Sequence, residues 1–108
     1  MKELLALDSP PDAVFSFNDP IALNAMKAVL DAGLRIPEDV AFVGSGNILH
    51  ADFLRVPLTT IDQNSIAIGE RAGKLALHLI ESKTPQTPKT ILLEPRLVVR
   101  HSSMRNPR

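Results

Sequence analysis

Cysteine, tryptophan and tyrosine are all absent from this 108-residue sequence, and each absence removes a class of function. Without cysteine the chain forms no disulfides and has no thiol nucleophile, which is compatible with the cytoplasmic location that we expect. The four aromatic residues are all phenylalanine, so few rings are present to stack on a ligand. The N-terminus lacks the apolar run of a signal peptide, and no run approaches the roughly 20 residues of a membrane span. We therefore expect no membrane partner.

Acidic and basic side chains are unevenly distributed, although the formal net charge is zero. Residues 1–54 carry three basic and eight acidic side chains, whereas residues 55–108 carry nine and four. A surface that binds nucleic acid needs a denser basic face than the C-terminal half offers. We interpret the arginines after Glu94 as a solvated basic tail: Arg96, Arg100, Arg105 and Arg108.

A strand–helix–strand unit is predicted between residues 13 and 44. The apolar run 13–17 is typical of a strand covered on both faces. Asp19 can cap a helix, and Pro20 suits the first position of that helix. Gly33 fits the left-handed position after the end of the helix. A second buried strand follows at 40–44, which predicts a parallel β-α-β connection. The helix carries apolar side chains at helical spacing: Ala22, Ala25, Met26, Val29 and Leu30.

The rest of the chain continues the α/β pattern. Residues 2–7 look like the last turns of a helix, and residues 58–62 form a third predicted strand. A second helix begins at Asn64 or Ser65 and is followed by a proline-containing loop at 83–88. Two further strands are predicted at 90–93 and 96–100, separated by Pro95. The fold class is α/β, with a mostly parallel sheet and flanking helices.

Polar side chains follow two of the predicted strands. Asn18 and Asp19 come directly after the first strand, and Gln63 comes directly after the third. Open α/β sheets bind small molecules at the carboxyl edge of their strands, and amides and carboxylates hydrogen-bond hydroxyl groups. Two interpretations stay open here, since the same residues can instead serve as helix caps and turn residues.

No catalytic or metal-binding pattern is present. Residues 44–47 (Gly-Ser-Gly-Asn) follow a strand, but Leu49 stands where a dinucleotide-binding fingerprint needs glycine. The Gly-x-Ser-x-Gly pattern of serine hydrolases is also absent. We therefore predict a protein that is not an enzyme, with no catalytic residues, no metal and no cofactor. The histidines are too far apart to form a zinc site or a triad: His50, His78 and His101.

Several segments, in order, resemble the effector-binding core of the lactose-repressor and galactose-repressor family of bacterial transcription regulators. The resemblance spans about residues 9–103. The matching segments are Pro11-Asp12-Ala13-Val14-Phe15-Ser16-Phe17-Asn18-Asp19, Ala22-Leu23-Asn24-Ala25-Met26, Ala32-Gly33-Leu34-Arg35-Ile36-Pro37-Glu38-Asp39-Val40, Val43-Gly44, Pro57-Leu58-Thr59-Thr60-Ile61-Asp62-Gln63, Gly69 with Ala72, and Leu97-Val98-Val99-Arg100.

The resemblance implies a type I periplasmic-binding-protein-like fold, in which two α/β subdomains clamp a small effector. It also implies a homodimer and a separate N-terminal helix-turn-helix domain that binds operator DNA. Asp19 falls on the family's effector-contacting aspartate, Asn18 on its neighbour, and Gln63 near the subdomain hinge. Residues 1–62 and 95–108 would belong to the C-terminal subdomain, and residues 63–94 to the other.

Two departures from the family pattern matter. Family members usually have Gly-aromatic-Asp-Asp/Asn after the second strand, where this chain has Gly-Ser-Gly-Asn, so of this loop only Asn47 stays a candidate ligand contact. The DNA-binding helices and the first half of the effector core have no counterpart, so we expect 1–108 to be a truncated effector-binding domain.

The apolar residues of segment 63–94 then lose their expected partner subdomain. We expect this segment either to fold back onto the sheet of its own chain or to be exchanged between two chains. The residues concerned are Ile68, Leu75, Leu79, Ile91 and Leu93.

The sequence therefore predicts a fragment of a ligand-responsive transcription regulator. Its expected partner is a small polar effector, a sugar or a nucleoside-like molecule, and operator DNA is contacted only through the missing domain. Two alternatives remain: a solute-binding protein of a transport system, and an oligomerisation fragment without a ligand.

Overall fold

The structure, a computed structural model, describes residues 1–52 and 54–106. Its helices and strands are interspersed along the chain, with one pair of consecutive strands, as expected for the predicted α/β class. In chain order the elements are α1 (Lys2–Leu5), β1 (Ala13–Phe15), α2 (Asp19–Asp31), β2 (Ala41–Ser45), β3 (Thr59–Asp62), α3 (Ser65–Glu81), β4 (Arg96–Val98) and a short 3-10 helix, η1 (His101–Ser103).

The four strands form one sheet in the order β1-β2-β3-β4. The first three strands are parallel, with Val14 opposite Phe42 and Val43 opposite Thr59. The last strand is antiparallel and places Val98 opposite Thr60. The predicted parallel connection through the first long helix is therefore confirmed, and the carboxyl ends of β1, β2 and β3 lie at one edge of the sheet.

The ends of α2 follow from its local sequence. The Asn18 side chain accepts a hydrogen bond from the Ile21 backbone N–H at 2.9 Å, so the helix cap is Asn18 and the prediction that Asp19 caps is wrong. At the other end Gly33 has φ +76°, a conformation that glycine adopts without steric cost. The Gly33 and Leu34 N–H groups donate back to Leu30 and Val29, which is the hydrogen-bond pattern of a Schellman motif.

One hydrophobic core lies between α2 and the sheet. The inward face of the helix meets the centre of β2, where Phe42 is completely buried. Since each fully buried large apolar side chain contributes about 1.5–3 kcal/mol, this cluster is the main stabilising element of the fold. Its members are Ala22, Met26, Val29, Ile36, Val40, Phe42 and Leu58.

The segment from Asn64 to Pro95 extends away from this core. Helix α3 has no buried residue, and the chain measures 62 × 25 × 23 Å with a radius of gyration of 19.1 Å. A compact chain of this length would have a radius near 13 Å. The predicted strand at 90–93 is wrong, because these residues have no strand partner here. The fold-back alternative is also wrong. Leu75 and Leu93 are only half-buried, and the other three residues of that prediction are exposed: Ile68, Leu79 and Ile91.

The C-terminal arginines do not form the solvated tail that the sequence suggests. Arg96 forms an ion pair with Asp62, and Arg100 forms one with Asp52. The guanidinium group of Arg105 donates to the Pro37 carbonyl at 2.7 Å. Arg108 lies outside the described residues. Three of the four arginines of the predicted tail are therefore bonded to distant parts of the fold.

No helix among the residues that the structure describes is long and apolar enough to cross a membrane. The longest, α3, spans Ser65–Glu81, and most of its length is exposed.

Ser102 provides a test of how the C-terminal segment is held. Its buried hydroxyl donates to the Phe42 carbonyl at 2.7 Å and accepts from the Thr59 N–H at 2.8 Å. We expect Ser102→Ala to lower the free energy of unfolding by about 1–3 kcal/mol, because two buried backbone groups lose their partner. Urea denaturation measures this loss. Ser9→Ala, at an exposed position, is the matched control, and equal midpoints for the two variants would contradict the assignment.

Candidate ligand-binding site

The four residues predicted to bind ligand gather at the carboxyl edge of the three parallel strands. Asn18 and Asp19 follow β1, Asn47 follows β2, and Gln63 follows β3. Hydrogen bonds connect these strand ends directly to one another. The structure thus places the predicted residues in one region, as expected for parallel strands.

Asp19 is completely buried and is the residue that joins the three strand ends. Its Oδ1 accepts a hydrogen bond from the Thr60 hydroxyl at 2.6 Å, and its Oδ2 accepts one from the Ile48 backbone N–H at 3.0 Å. Both carboxylate oxygens are therefore bonded to the protein itself. Direct contact between Asp19 and a ligand stays a prediction, while its role in holding the loop after β2 is visible in the structure.

Gly44 provides the space that the buried carboxylate occupies. A Cβ atom at this position would overlap Asp19 Oδ1 and lie 3.1 Å from Leu58 Cδ2. The glycine therefore allows the N-terminus of α2 to approach β2 closely. Its backbone is ordinary strand, so the requirement is for space and not for an unusual φ angle.

The loop after β2 turns through two residues with positive φ. Gly46 has φ +121°, a conformation that side chains disfavour, and Asn47 has φ +50°, which asparagine tolerates. The turn lets the Asn47 backbone N–H donate to Thr60 Oγ1 at 3.2 Å, and that hydroxyl in turn donates to Asp19. The Thr60 hydroxyl therefore bonds both to the buried carboxylate and to the loop, and it fixes the loop relative to Asp19.

The Asn47 side chain is half-buried and bonded on both sides. Its Nδ2 donates to Asp62 Oδ2 at 3.2 Å, and its Oδ1 accepts from Arg100 Nη2 at 2.9 Å. Gln63 lies beside it at the end of β3 and is exposed, with its Nε2 donating to Ser45 Oγ at 2.9 Å. Asparagine and glutamine side chains therefore contribute both donors and acceptors at this edge.

Asp62 is a residue of this edge that sequence reasoning missed. The Asn64 backbone N–H donates to its Oδ1 at 2.8 Å, and the Asn47 amide and the Arg96 guanidinium donate to its Oδ2. These hydrogen bonds hold the pKa of the Asp62 carboxyl below its usual range, and the bond from the Asn64 backbone has the largest effect. Its place directly before Gln63 at a strand end was the sequence feature that could have identified it.

Thr60 and Arg100 were also missed, for a different reason. Their partners lie 41 and 53 residues away along the chain, so no local pattern indicates them. No group of three or more His, Cys, Asp or Glu side chains suited to a metal ion occurs within residues 1–52 and 54–106. The chemistry available at this edge is hydrogen bonding.

Substitution of Gly44 tests the packing of the carboxylate. We expect Gly44→Ala to lower the free energy of unfolding by about 1–3 kcal/mol, because the added methyl group displaces Asp19 or Leu58. Gly69→Ala is the matched control. Gly69 lies within α3 with nothing near its Cβ position, so this change should raise helix stability by about 0.5–1 kcal/mol. Thermal denaturation distinguishes the two, and a neutral Gly44→Ala would contradict the close approach.

The lowered pKa of Asp62 predicts a specific dependence of stability on pH. The folded state binds fewer protons than the unfolded state near this pKa, so the stabilisation is complete above the unfolded value of about 3.9. It disappears as pH falls through the lower folded value. We expect the difference in unfolding free energy between wild type and Asp62→Asn to be constant above about pH 5 and to shrink below about pH 4.

Urea denaturation at a series of pH values measures this difference. Asp8→Asn, which removes an exposed carboxylate, controls for the change in net charge. A difference that does not vary with pH would show that the Asp62 carboxylate is not favoured by its partners.

Comparison with known proteins identifies the family. The sequence profile of the family described as "Periplasmic binding protein-like domain" matches residues 1–103. The HTH-type transcriptional repressor PurR of Mannheimia succiniciproducens is 41% identical over 102 residues, which are 94% of this chain and 30% of that repressor. The chain thus spans about 30% of the length of the curated relatives that it matches.

Solved structures show the same fold. A putative transcriptional regulator LacI from Bacillus cereus subsp. cytotoxis superposes with a TM-score of 0.89 at 30% identity, covering 95% of this chain and 36% of that one. A LacI family regulator from Enterococcus faecium, with bound ribose, gives 0.84 at 32% identity, covering 94% and 37%. The predicted fold is confirmed. The chain belongs to the periplasmic binding protein-like domain family, and within it to the effector-binding domains of lactose-repressor/galactose-repressor regulators.

Proposed function

We propose that this chain is part of the ligand-sensing domain of a cytoplasmic transcription regulator and that it has no enzymatic activity. The observation that carries the proposal is the meeting of Asn18, Asn47 and Gln63 at the carboxyl ends of three adjacent parallel strands. Their amide groups both donate and accept hydrogen bonds, as recognition of a hydroxyl-rich molecule requires. Asp19 lies beneath them and fixes the loop that carries Asn47.

The proposed effector is a small polar molecule, with sugars as the first class and nucleosides as the second. The Enterococcus faecium relative with bound ribose supports this choice. Of the phenylalanines, Phe42 is completely buried, Phe53 lies outside the described residues, and Phe15 is 65% exposed but lies within β1 and not after its end. Phe17 is 84% exposed and directly precedes Asn18, so it is the ring that we assign to the apolar face of a sugar.

The exposed segment supports a two-part domain. We assign residues 1–62 and 95–108 to one subdomain and residues 63–94 to the other, because α3 has no buried residue here. The apolar surface of this segment, which includes Ile68, Leu75 and Ile91, then packs on the part of the longer protein that the relatives' lengths indicate. Effector binding shifts the closure of the two subdomains.

The assembly follows the same scheme. We propose a homodimer that contacts operator DNA through a separate N-terminal domain. The relatives named as HTH-type transcriptional repressors, of whose length this chain spans about 30%, support this arrangement.

Thermal denaturation with candidate effectors tests the proposal. A ligand that binds the folded state raises the midpoint, by an amount that corresponds to about 2.7 kcal/mol when its concentration is 100 times Kd. The panel is D-ribose, D-glucose, cellobiose and nucleosides. We expect a sugar to raise the midpoint, and Asn47→Ala or Gln63→Ala to remove most of that increase.

Matched controls separate binding from general stability. Asn24→Ala removes an amide that bonds to Pro20 on α2, and Gln86→Ala removes one in the loop after α3. Neither should change the ligand effect.

A chimera tests the candidate site within a full-length regulator. Residues 1–103 would replace the corresponding part of the Enterococcus faecium regulator. A chimera that folds but binds neither sugars nor nucleosides would contradict the proposal and favour a fragment that serves only assembly.

A further inference from the structure

The Arg100 side chain lies at the back of the candidate site and is bonded to the protein, unlike a solvent-exposed arginine. Its side chain is 12% exposed, and all three guanidinium nitrogens have partners. Nη1 donates to the Leu58 carbonyl at 2.9 Å, Nη2 donates to Asn47 Oδ1 at 2.9 Å, and Nε pairs with Asp52. The planar fork of arginine presents donors on three separate nitrogen atoms, whereas a lysine ammonium presents all its donors from a single nitrogen.

The backbone of the same residue is also fixed. The Arg100 N–H donates to Thr59 Oγ1 at 2.8 Å, and the Arg100 carbonyl accepts from that hydroxyl at 2.9 Å. By contrast, the Arg96 side chain is 75% exposed and reaches only Asp62, at 3.4 Å. The two arginines lie near the same edge, but only Arg100 is integrated into the fold.

The partners of Asn47 determine which way its amide points. Arginine has only donors and an ionised aspartate has only acceptors, so Oδ1 must meet Arg100 and Nδ2 must meet Asp62. The flipped amide would set two donors against each other on one side and two acceptors on the other. Each like pairing would replace a hydrogen bond by a repulsive contact. The side chain is therefore fixed in one orientation.

We propose that Arg100 is the positioning residue of the candidate site, holding the Asn47 amide so that its Nδ2 group faces the effector as a donor. One Nδ2 hydrogen is bonded to Asp62, and the second has no partner among the described residues. The effector group that it recognises is then an acceptor, a hydroxyl or carbonyl oxygen. This inference rests on the proposed function for the effector, whereas the orientation of Asn47 does not.

Nuclear magnetic resonance of the isotope-labelled full chain tests the orientation without any ligand. Asn47→Ala identifies the side-chain amide signal by its disappearance. In the wild type we expect two separate Nδ2 protons, one of which exchanges more slowly with solvent because it bonds to the Asp62 carboxylate. Two protons that both exchange at the rate of a free amide would overturn the proposal, and this measurement needs no variant at position 100.

Substitutions at two arginines then test whether Arg100 is the residue that fixes the Asn47 amide. In Arg100→Gln the amide loses the group that fixes Oδ1, so we expect its two proton signals to move towards free-amide values. Arg35→Gln removes an equal charge from the ion pair with Asp39, at the opposite end of β2 from Asn47, and should leave them unchanged. An amide signal in folded Arg100→Gln that matches the wild type would assign Arg100 a purely structural role and overturn the proposal.

Binding of D-ribose provides the functional comparison. We expect Arg100→Gln to weaken binding by about tenfold, the loss of one oriented hydrogen bond. In an Asn47→Ala background the same change should have little further effect, whereas a purely structural role would weaken binding equally in both backgrounds. Absence of ribose binding by the wild type would count against the proposed effector class, and the amide measurement would still decide the role of Arg100.

Discussion

The buried carboxylate of Asp19 is the interaction on which the rest of this structure depends. A polar side chain away from water costs free energy unless hydrogen-bond partners surround it, and here the donors are the Thr60 hydroxyl and the Ile48 N–H. These donors come from β3 and from the loop after β2, so satisfying this one side chain fixes both elements relative to α2. Gly44 leaves the space for this arrangement. The loop that carries Asn47 is held in place by these bonds.

A second set of bonds closes the sheet from its C-terminal side. The chain leaves the core after Gln63 and returns at Arg96, and the returning segment bonds to residues 34 to 93 positions earlier. Ser102 links β2 to β3, and Arg105 joins the turn at Pro37 to Asp12. The result is asymmetric: one part of the chain is tightly cross-linked, while α3 exposes an apolar face that a longer protein would cover.

Local patterns predicted much of this fold correctly. The apolar spacing of α2, the glycine after its end and the alternation of strands and helices all depend on neighbours within a few residues. The errors have physical reasons. The helix cap is Asn18, because Asp19 makes stronger contacts across the sheet, and residues 90–93 form no strand because no neighbouring strand is present for them. The arginines that resembled a solvated tail are bonded to distant carboxylates and carbonyls.

The sequence by itself determined the α/β class, the parallel strand order of the β-α-β unit and the polar character of the strand ends, since these follow from short-range periodicity and residue chemistry. Only the tertiary structure decided that Asp19 is buried, that Asn47 is held between Arg100 and Asp62, and that Thr60 connects them. These bonds join residues 13 to 53 positions apart. A hydrogen bond requires two groups to meet within about 3 Å, and that proximity exists only after the sheet has formed.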